Sequence, residues 1–534
     1  MRRQMLPAFV FSLATFFAVN AGGEAKRIGD HGVMKGAGHG GGAFPVSECI
    51  TKEELSPVTR SLGQVGVLKM PAGPASQLMS DPIGSGGINA LGKPTNNYVD
   101  LDPSTGLKDY TCGTATYNGH TGSDIDLSSF YDMDEGVAVL AAAPGTVTFV
   151  HDGEFDRNTV WSASAVANAV IVTCSDGTQV YYWHMRKNSV RVHLNDIVQT
   201  GDTLGLVGSS GFSTNAHLHF ELRDNVGNVI EPYHGTCQTS GTRWQTEKPY
   251  IFNDTFKLIS HGLTTMPLDW PTILELPPSK THVKAGDTIY TWITESSGGA
   301  ADNLIWEAYL GTTFMGWYGF TTGDPLRHGW WYIWWTIPDQ PGFYGEWTFK
   351  IYRNSVQIGQ QSFTYNSSSN QLPVVPTVQN NVACTGVTSE FAGSDPDGSI
   401  FWYDVMSGPT HGTINQFGGR KRKFTYTPAA GYAGRDSIAV RARDDENQAG
   451  ATGYYVFTMN AACCCVGTTG NVNGTGIVDL VDLSSLVSYL SGGGFVPPCL
   501  AEANVNGTGI VDLVDLSSLV NYLTVGQFVL PSCQ

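Results

Sequence analysis

The rhythm of apolar and polar residues divides the chain into blocks. Residues 22–95 are rich in glycine and weakly patterned, apart from "TKEELSPVTRSLGQVGVL" (residues 51–68), which predicts a short helix. From Asn96 to Tyr250 the pattern changes to period two, the signature of strands with one buried face. "VAVLAAAPGTVTFVHDG" alternates and turns at Pro144-Gly145, and "NAVIVTCSDGTQVYYWHM" predicts two strands about a Ser-Asp-Gly turn. These features predict an antiparallel, all-β unit.

Residues 251–366 carry further strand patterns, among them "VKAGDTIYTWIT" and "EWTFKIYRNSVQIGQQSFTY", and predict a β-sandwich. In the run Trp330, Trp331, Tyr332, Trp334 and Trp335, alternate aromatics are expected to fill that core rather than present a carbohydrate-stacking platform. After the polar, Pro-bounded "NSSSNQLPVVP", residues 367–460 resemble the cadherin-like or immunoglobulin-like modules of bacterial surface proteins. Asp395, Asp397 and Asp444 there are candidate Ca²⁺ ligands, with a plain acidic turn as the equal alternative. Helical periodicity comes only at the end, in residues 461–534. The class is therefore mainly β and multidomain, with a small α-helical module at the C-terminus.

Composition narrows the function. The chain has 534 residues, enough for several cores, and a net charge of −17. Such an acidic balance argues against nucleic acid as a partner, and generic adhesion to an anionic wall is not expected. Arg2 and Arg3 precede an apolar run from Met5 to Val19, then small residues, which predicts a secretory signal peptide over residues 1–21. No later segment reads as a membrane span, so the mature chain is expected to be secreted or extracytoplasmic. The 10 cysteines fit that compartment as disulfides, and no Cys-x-x-Cys pair suggests a thiolate zinc site. Their pairing stays open.

Chemistry concentrates in the all-β unit. In "NAHLHFEL" (residues 215–222), His217 and His219 alternate with Leu218 and Phe220, so both imidazoles share one strand face. "GHTGSDIDL" places His120 and Asp124 four apart, and "YYWHM" places His184 within a strand. Imidazole nitrogen and carboxylate oxygen suit Zn²⁺, which takes three protein ligands when catalytic.

The order His-x-x-x-Asp, Tyr-x-His, then Gly-x-x-Gly-x-Ser-Thr-x-x-His-Leu-His-Phe-Glu resembles the lysostaphin/LytM-type zinc metalloendopeptidases, across residues 96–250. "AAAPGTVTFV" and "DIVQTGDTLGLVGSSG" are similar to further segments of that family, although Asn215-Ala216 stands where Gly-Pro is common. The resemblance implies one catalytic Zn²⁺ held by His120, Asp124 and His219, with His184 and His217 as catalytic neighbours. One would take a proton from the attacking water and the other would steady the oxyanion or orient the water, and the resemblance does not divide these jobs. It implies hydrolysis of peptide bonds in bacterial peptidoglycan. The alternatives are a catalytically silent cell-wall binding or scaffold protein of the same fold, and a glycan-binding adhesin using the Trp330–Trp335 run.

The C-terminus is duplicated: "NVNGTGIVDLVDLSSLVSYL" at Asn471 recurs 33 residues later at Asn504 with 19 of 20 positions identical. Each copy has Ca²⁺-loop spacing. The first uses Asn471, Asn473, Thr475, Ile477 (backbone), Asp479 and Asp482, and the second Asn504, Asn506, Thr508, Ile510 (backbone), Asp512 and Asp515. Leu483, Leu486, Val487 and Leu490 then form an apolar stripe, repeated by Leu516, Leu519, Val520 and Leu523. Loop plus helix in duplicate resembles dockerin domains, implying Ca²⁺ and a cohesin-like partner. Asn and Thr stand where acidic ligands are usual, which weakens the calcium reading.

Overall fold

The computed structural model describes residues 77–85, 93, 95–160, 162, 164–250, 256–298, 301–322, 326–382, 386–429, 432, 434–459, 469–524 and 526–531, preceded by Met34–Lys35, Val58 and Ser61. The signal-peptide segment and most of the helix predicted over 51–68 lie outside them. The chain divides into two compact units, Met1–Asn370 and Gln371–Gln534.

The first unit begins with β1 (Met34–Lys35), then β2 (Thr95–Asn97), β3 (Ser123–Asp126), β4 (Ala138–Leu140), β5 (Gly145–His151) and β6 (Asn168–Thr173). It continues through β7 (Gln179–Met185), β8 (Ile197–Val198), β9 (Thr203–Leu206), β10 (His217–Arg223) and β11 (Val229–Ile230). One sheet runs β2-β3-β10-β7-β6-β5-β8, with β11 on β10, and every pairing in it is antiparallel, as the period-two pattern predicts. Its faces are distinct. Val170, Val172, Val180, Tyr182, Leu218, Phe220 and Leu222 enter the main core. Ala169, Ile171, Tyr181 and Trp183 pack on the other side. The hairpin β6–β7 is thus buried on both faces.

This core extends beyond the strands from Asn96 onward. Met79 and Ile83 belong to it, and Met79 bridges Trp244 while Ile83 bridges Val139. Residues 77–85 of the Gly-rich segment are therefore part of the packed unit. Leu274, from the short helix Trp270–Leu274, also lies in this core. Cys112 and Cys237 form a disulfide across 125 residues and tie the loop before His120 to the segment after β11. Cys174 departs from the disulfide expectation. It is reduced and buried in the core, where desolvation pushes its thiol up to about 12.

The second assembly of this unit is the expected sandwich. One sheet orders β12 (Lys257–Thr264), β14 (Thr288–Gly298) and β17 (Leu326–Thr336), with β1 on β17. The other contains β13 (His282–Lys284), β15 (Asn303–Leu310), β16 (Thr313–Thr321), β18 (Gly345–Arg353) and β19 (Val356–Asn366), ordered β13-β19-β18-β15-β16. The aromatic run on β17 splits by face. Trp331 and Ile333 join Trp306, Phe320 and Ile351 inside the sandwich. Trp330 and Tyr332 pack on the opposite face against Leu268, Ile273 and Trp292. The sandwich core thus takes only half of the run, and helix Trp270–Leu274 and its flanks cover the rest.

In the second unit, β20 (Val378–Val382), β22 (Ile400–Ser407), β25 (Gly434–Asp444) and β26 (Gly453–Met459) form a sheet ordered β20-β26-β25-β22. It shares a core with the sheet β21 (Val387–Glu390), β24 (Lys423–Pro428) and β23 (Gly412–Phe417). Arg420, Lys421, Arg422 and Lys423 make one local basic exception in this acidic chain, with Arg420 and Lys421 in left-handed backbone. The repeats fold as helices Leu480–Leu490 and Leu513–Thr524 about a small core containing Leu486 and Leu519. Val487 and Val520, expected in the apolar stripe, are exposed instead, because the helices meet along a narrower face centred on Leu486 and Leu519.

One buried carboxyl in the sandwich makes stability pH-dependent. Glu295 accepts from Trp331 Nε1 at 2.8 Å, yet burial pushes it up to about 7 from an ordinary 4.5. The folded state therefore holds a proton that the unfolded chain releases, and stability falls as pH rises from about 4.5 through about 7. Glu295→Gln should be more stable than the parent at pH 8 to 9 by chemical denaturation, with the difference shrinking toward pH 4.

Candidate metal centre

The site is assembled by strand register. Antiparallel pairing sets His219 opposite Asp124 and His217 opposite Asp126, so the histidine face of β10 meets the carboxylate face of β3. Leu218 and Phe220, between them, are fully buried in the core and fix the strand. His120 arrives on the loop before β3. Gly122 lets that loop lie flat, since a Cβ there would meet His219 Cε1 at 2.7 Å.

Three ligand atoms converge. His120 Nε2 lies 3.2 Å from Asp124 Oδ1 and 3.3 Å from His219 Nδ1, and His219 Nδ1 lies 3.1 Å from Asp124 Oδ1. Second partners set the tautomers. The carbonyl of Tyr98 lies 2.8 Å from His120 Nδ1, so that nitrogen carries the proton and Nε2 keeps its lone pair. The Glu221 carboxylate lies 3.1 Å from His219 Nε2, which leaves the lone pair on Nδ1. Two imidazole lone pairs and a carboxylate oxygen thus face one another inside the fold. Without a cation this arrangement is repulsive. Tetrahedral zinc with bonds of about 2.0–2.1 Å separates its ligand atoms by about 3.3 Å, so the donor set fits the ion. Among the described residues, His120, Asp124 and His219 are the one group of three or more His, Cys, Asp or Glu side chains placed to hold a metal.

Burial works against ionisation of Asp124, but the positive charge that His120 and His217 carry when protonated, in the place a cation would take, holds its carboxyl well below the usual range. Glu221 is likewise buried, and its contacts with His219 and Arg223 keep it below its ordinary value. Thr121 Oγ1 donates to it at 2.8 Å, and Asn97 Nδ2 donates to Asp124 Oδ2 at 3.2 Å.

The remaining histidines flank this triad. His217 Nδ1 faces the Asn215 carbonyl at 3.0 Å, and its Nε2 lies 3.7 Å from Asp124 Oδ1. His184 needs a backbone irregularity to reach the same side. Trp183 pairs with His219, so simple alternation would send His184 to the core face. The register of β6 and β7 shifts here, and His184 has φ 64°. That bulge turns its ring to 4.6 Å from the ring of His217. Its Nδ1 lies 2.7 Å from the Ser210 carbonyl, which leaves the Nε2 lone pair.

The other expected sites fare differently. Asp444 closes its own turn, accepting from Glu446 N and Gln448 N at 2.9 and 2.7 Å, while Asp445, not Asp444, faces Ser399 beside Asp395. The expected Asp395–Asp397–Asp444 group therefore does not assemble. In the repeats, Asp482 accepts from Asn473 N and Asp479 N, both at 2.9 Å, and Asp515 accepts from Asn506 N and Asp512 N at 2.9 and 2.8 Å. Asp479 and Asp512 are used in capping: Asp479 accepts from Val481 N and Asp512 from Val514 N, both at 2.7 Å. Asn471 bonds Gly476 N, Asn473 bonds Thr475 N, and Asn504 and Asn506 bond Thr508 N, so much of each loop's polar capacity serves the turn itself. The backbones of Ile477 and Ile510 pass through these loops with exposed side chains.

Residues 118–232 match the model of peptidase family M23. Residues 370–458 match the bacterial Ig domain model. The segment matched by the M23 model holds all five residues of the site. Over 117 residues it is 32% identical to the DD-carboxypeptidase/endopeptidase Mpg of Neisseria meningitidis, covering 22% of this chain and 23% of that protein. It is also 29% identical over 129 residues to an uncharacterized metalloprotease of Haemophilus influenzae, covering 24% and 23%. The chain therefore spans about a quarter of the length of these relatives. Among solved structures, a mutant catalytic domain of the prophage-encoded M23 protein EnpA from Enterococcus faecalis is 26% identical, with TM-score 0.19, covering 27% of this chain and 93% of that one. The catalytic domain of lysostaphin from Staphylococcus simulans is 23% identical, with TM-score 0.18, covering 28% and 87%.

Sequence reasoning missed Glu221 as the partner of His219. The signal was present, because period two puts Glu221 on the face of His217 and His219. Tyr98 and Ser210 act through backbone carbonyls and left no signal. Glu221→Gln should weaken zinc binding roughly 10- to 100-fold in a competitive chelator titration, while leaving the three ligands in place.

Proposed function

We propose that this chain is a secreted zinc endopeptidase that hydrolyses peptide bonds in the cross-links of bacterial peptidoglycan. The observation that carries the reading is the convergence of three lone-pair donors beside two further imidazoles whose tautomers are fixed. The M23 family match supports the reaction class, and relatives named for carboxypeptidase and endopeptidase activity support the substrate class. No described helix is long and apolar enough to cross a membrane.

His120 Nε2, Asp124 Oδ1 and His219 Nδ1 would hold Zn²⁺, which supplies Lewis-acid polarisation of a carbonyl and acidifies water. Tyr98 and Glu221 hold the two ligand rings in orientation. His184 and His217 each carry a proton on Nδ1, which donates to its carbonyl partner, and so keep Nε2 as a base. Either can take the proton of an attacking water at Nε2 and later return it to the leaving amine. Once protonated, either can also donate to the developing oxyanion. The carbonyl partners keep those nitrogens oriented through the cycle.

The tail reads as a docking module whose loops take Ca²⁺ and whose partner is cohesin-like. Its support is the repeated loop geometry and the matched exposed pairs Leu480-Val481 and Leu513-Val514. Millimolar calcium should raise the melting temperature of this module's transition. An unchanged transition would remove calcium from the account.

The hydrolase reading is tested with purified peptidoglycan and zinc-loaded protein, scoring new amino termini by mass spectrometry. The parent should release peptides, and His184→Ala should be slower by roughly 10²-fold or more. No release by the parent would favour a silent binding protein of the same fold.

A further inference from the structure

The metal site is served by loops that the second β assembly also grips. Ser213, Thr214 and Asn215 lead into β10, and the Asn215 carbonyl is the partner of His217 Nδ1. Ser213 Oγ donates to the same carbonyl at 2.9 Å. The Trp270 indole donates to the neighbouring Thr214 carbonyl at 3.0 Å. Trp270 opens a short helix N-capped by Asp269, and Leu274 at its end is 1% exposed in the peptidase core. Trp270 also stacks on Trp330 of β17, with ring centroids 6.4 Å apart.

A second tie lies close by. Arg157 bonds both Asp134 oxygens at 3.0 and 3.1 Å and Glu275 at 2.8 and 2.6 Å, and its guanidinium lies over Phe130 at 4.7 Å. The next residue, Asn158, donates to Ser209 O at 3.1 Å and to Gly211 O at 2.9 Å. Ser210, between those acceptors, provides the carbonyl for His184. The segment 269–275 therefore reaches both catalytic histidines, one through Thr214 and one through Arg157.

We infer that the second β assembly is part of the active site, and that Trp270 is a positioning residue that sets the ring of His217 through the loop 213–215. The family match ends at residue 232, so this contribution comes from outside the matched domain. Its physical basis is that loops are the softest part of a fold, and a catalytic nitrogen displaced by about 1 Å can lose as much as 10²-fold in rate. The kinetic part of this inference rests on the hydrolase reading, and the structural part does not.

The test is Trp270→Phe, which keeps an aromatic ring in place and removes the N–H donor. Hydrogen exchange measured by mass spectrometry should speed up roughly tenfold across residues 208–217. Zinc content should stay at the parent value, because His120, Asp124 and His219 are untouched. On a cleaved peptide, kcat should fall roughly tenfold with KM little changed. Parent-like exchange in 208–217 would overturn the inference, and so would faster exchange with unchanged kcat. If neither protein cleaves anything, the hydrolase reading fails and the exchange result still decides whether Trp270 holds the loop. Should Trp270→Phe fail to fold, Trp270→Tyr, which also removes the indole N–H, is judged by the same exchange criterion, and Glu275→Gln tests the second tie across residues 208–211.

Discussion

Two imidazole lone pairs and a carboxylate oxygen lie within about 3.3 Å of one another in a buried site, and this arrangement organises the sheet that carries β3 and β10. Such a cluster is unfavourable unless a cation completes it, so the rest of the fold must prevent the side chains from turning away. The Tyr98 carbonyl and the Glu221 carboxylate do that by holding the opposite ring nitrogens. Leu218 and Phe220 do it from behind, by anchoring the strand in the core. The same principle explains the bulge at His184, where a left-handed residue inside a strand brings a ring to the correct side.

Much of this was legible in the sequence because strands have a simple period. His217 and His219 share a face by alternation, and the interval from His120 to Asp124 spans one tight loop. What alternation could not give was the position of His184, since a regular strand would have buried it in the core. The tautomers were equally hidden. They depend on carbonyls of Tyr98, Ser210 and Asn215, and a carbonyl has no residue-type signature. The disulfide Cys112–Cys237 and the reduced Cys174 could not be told apart by count, because that distinction is one of proximity and burial.

The sandwich and the repeats show where composition misleads. The aromatic run on β17 serves two cores, because the helix Trp270–Leu274 covers the face that would otherwise meet solvent. Val487 and Val520 fit a helical stripe by spacing but point outward, since two short helices bury only a narrow line of contact. Acidic residues at loop positions likewise carry caps and turns before any ion is considered. Spacing therefore identifies the element more securely than the ligand.

A zinc site formed by His120, Asp124 and His219 is tested most directly by anomalous diffraction from zinc-soaked crystals, recorded on both sides of the zinc edge. One strong peak is expected about 2.0–2.2 Å from His120 Nε2, Asp124 Oδ1 and His219 Nδ1, with the Tyr98 and Glu221 contacts intact. Zinc bound elsewhere, with these three side chains turned apart or joined only to one another, would contradict it.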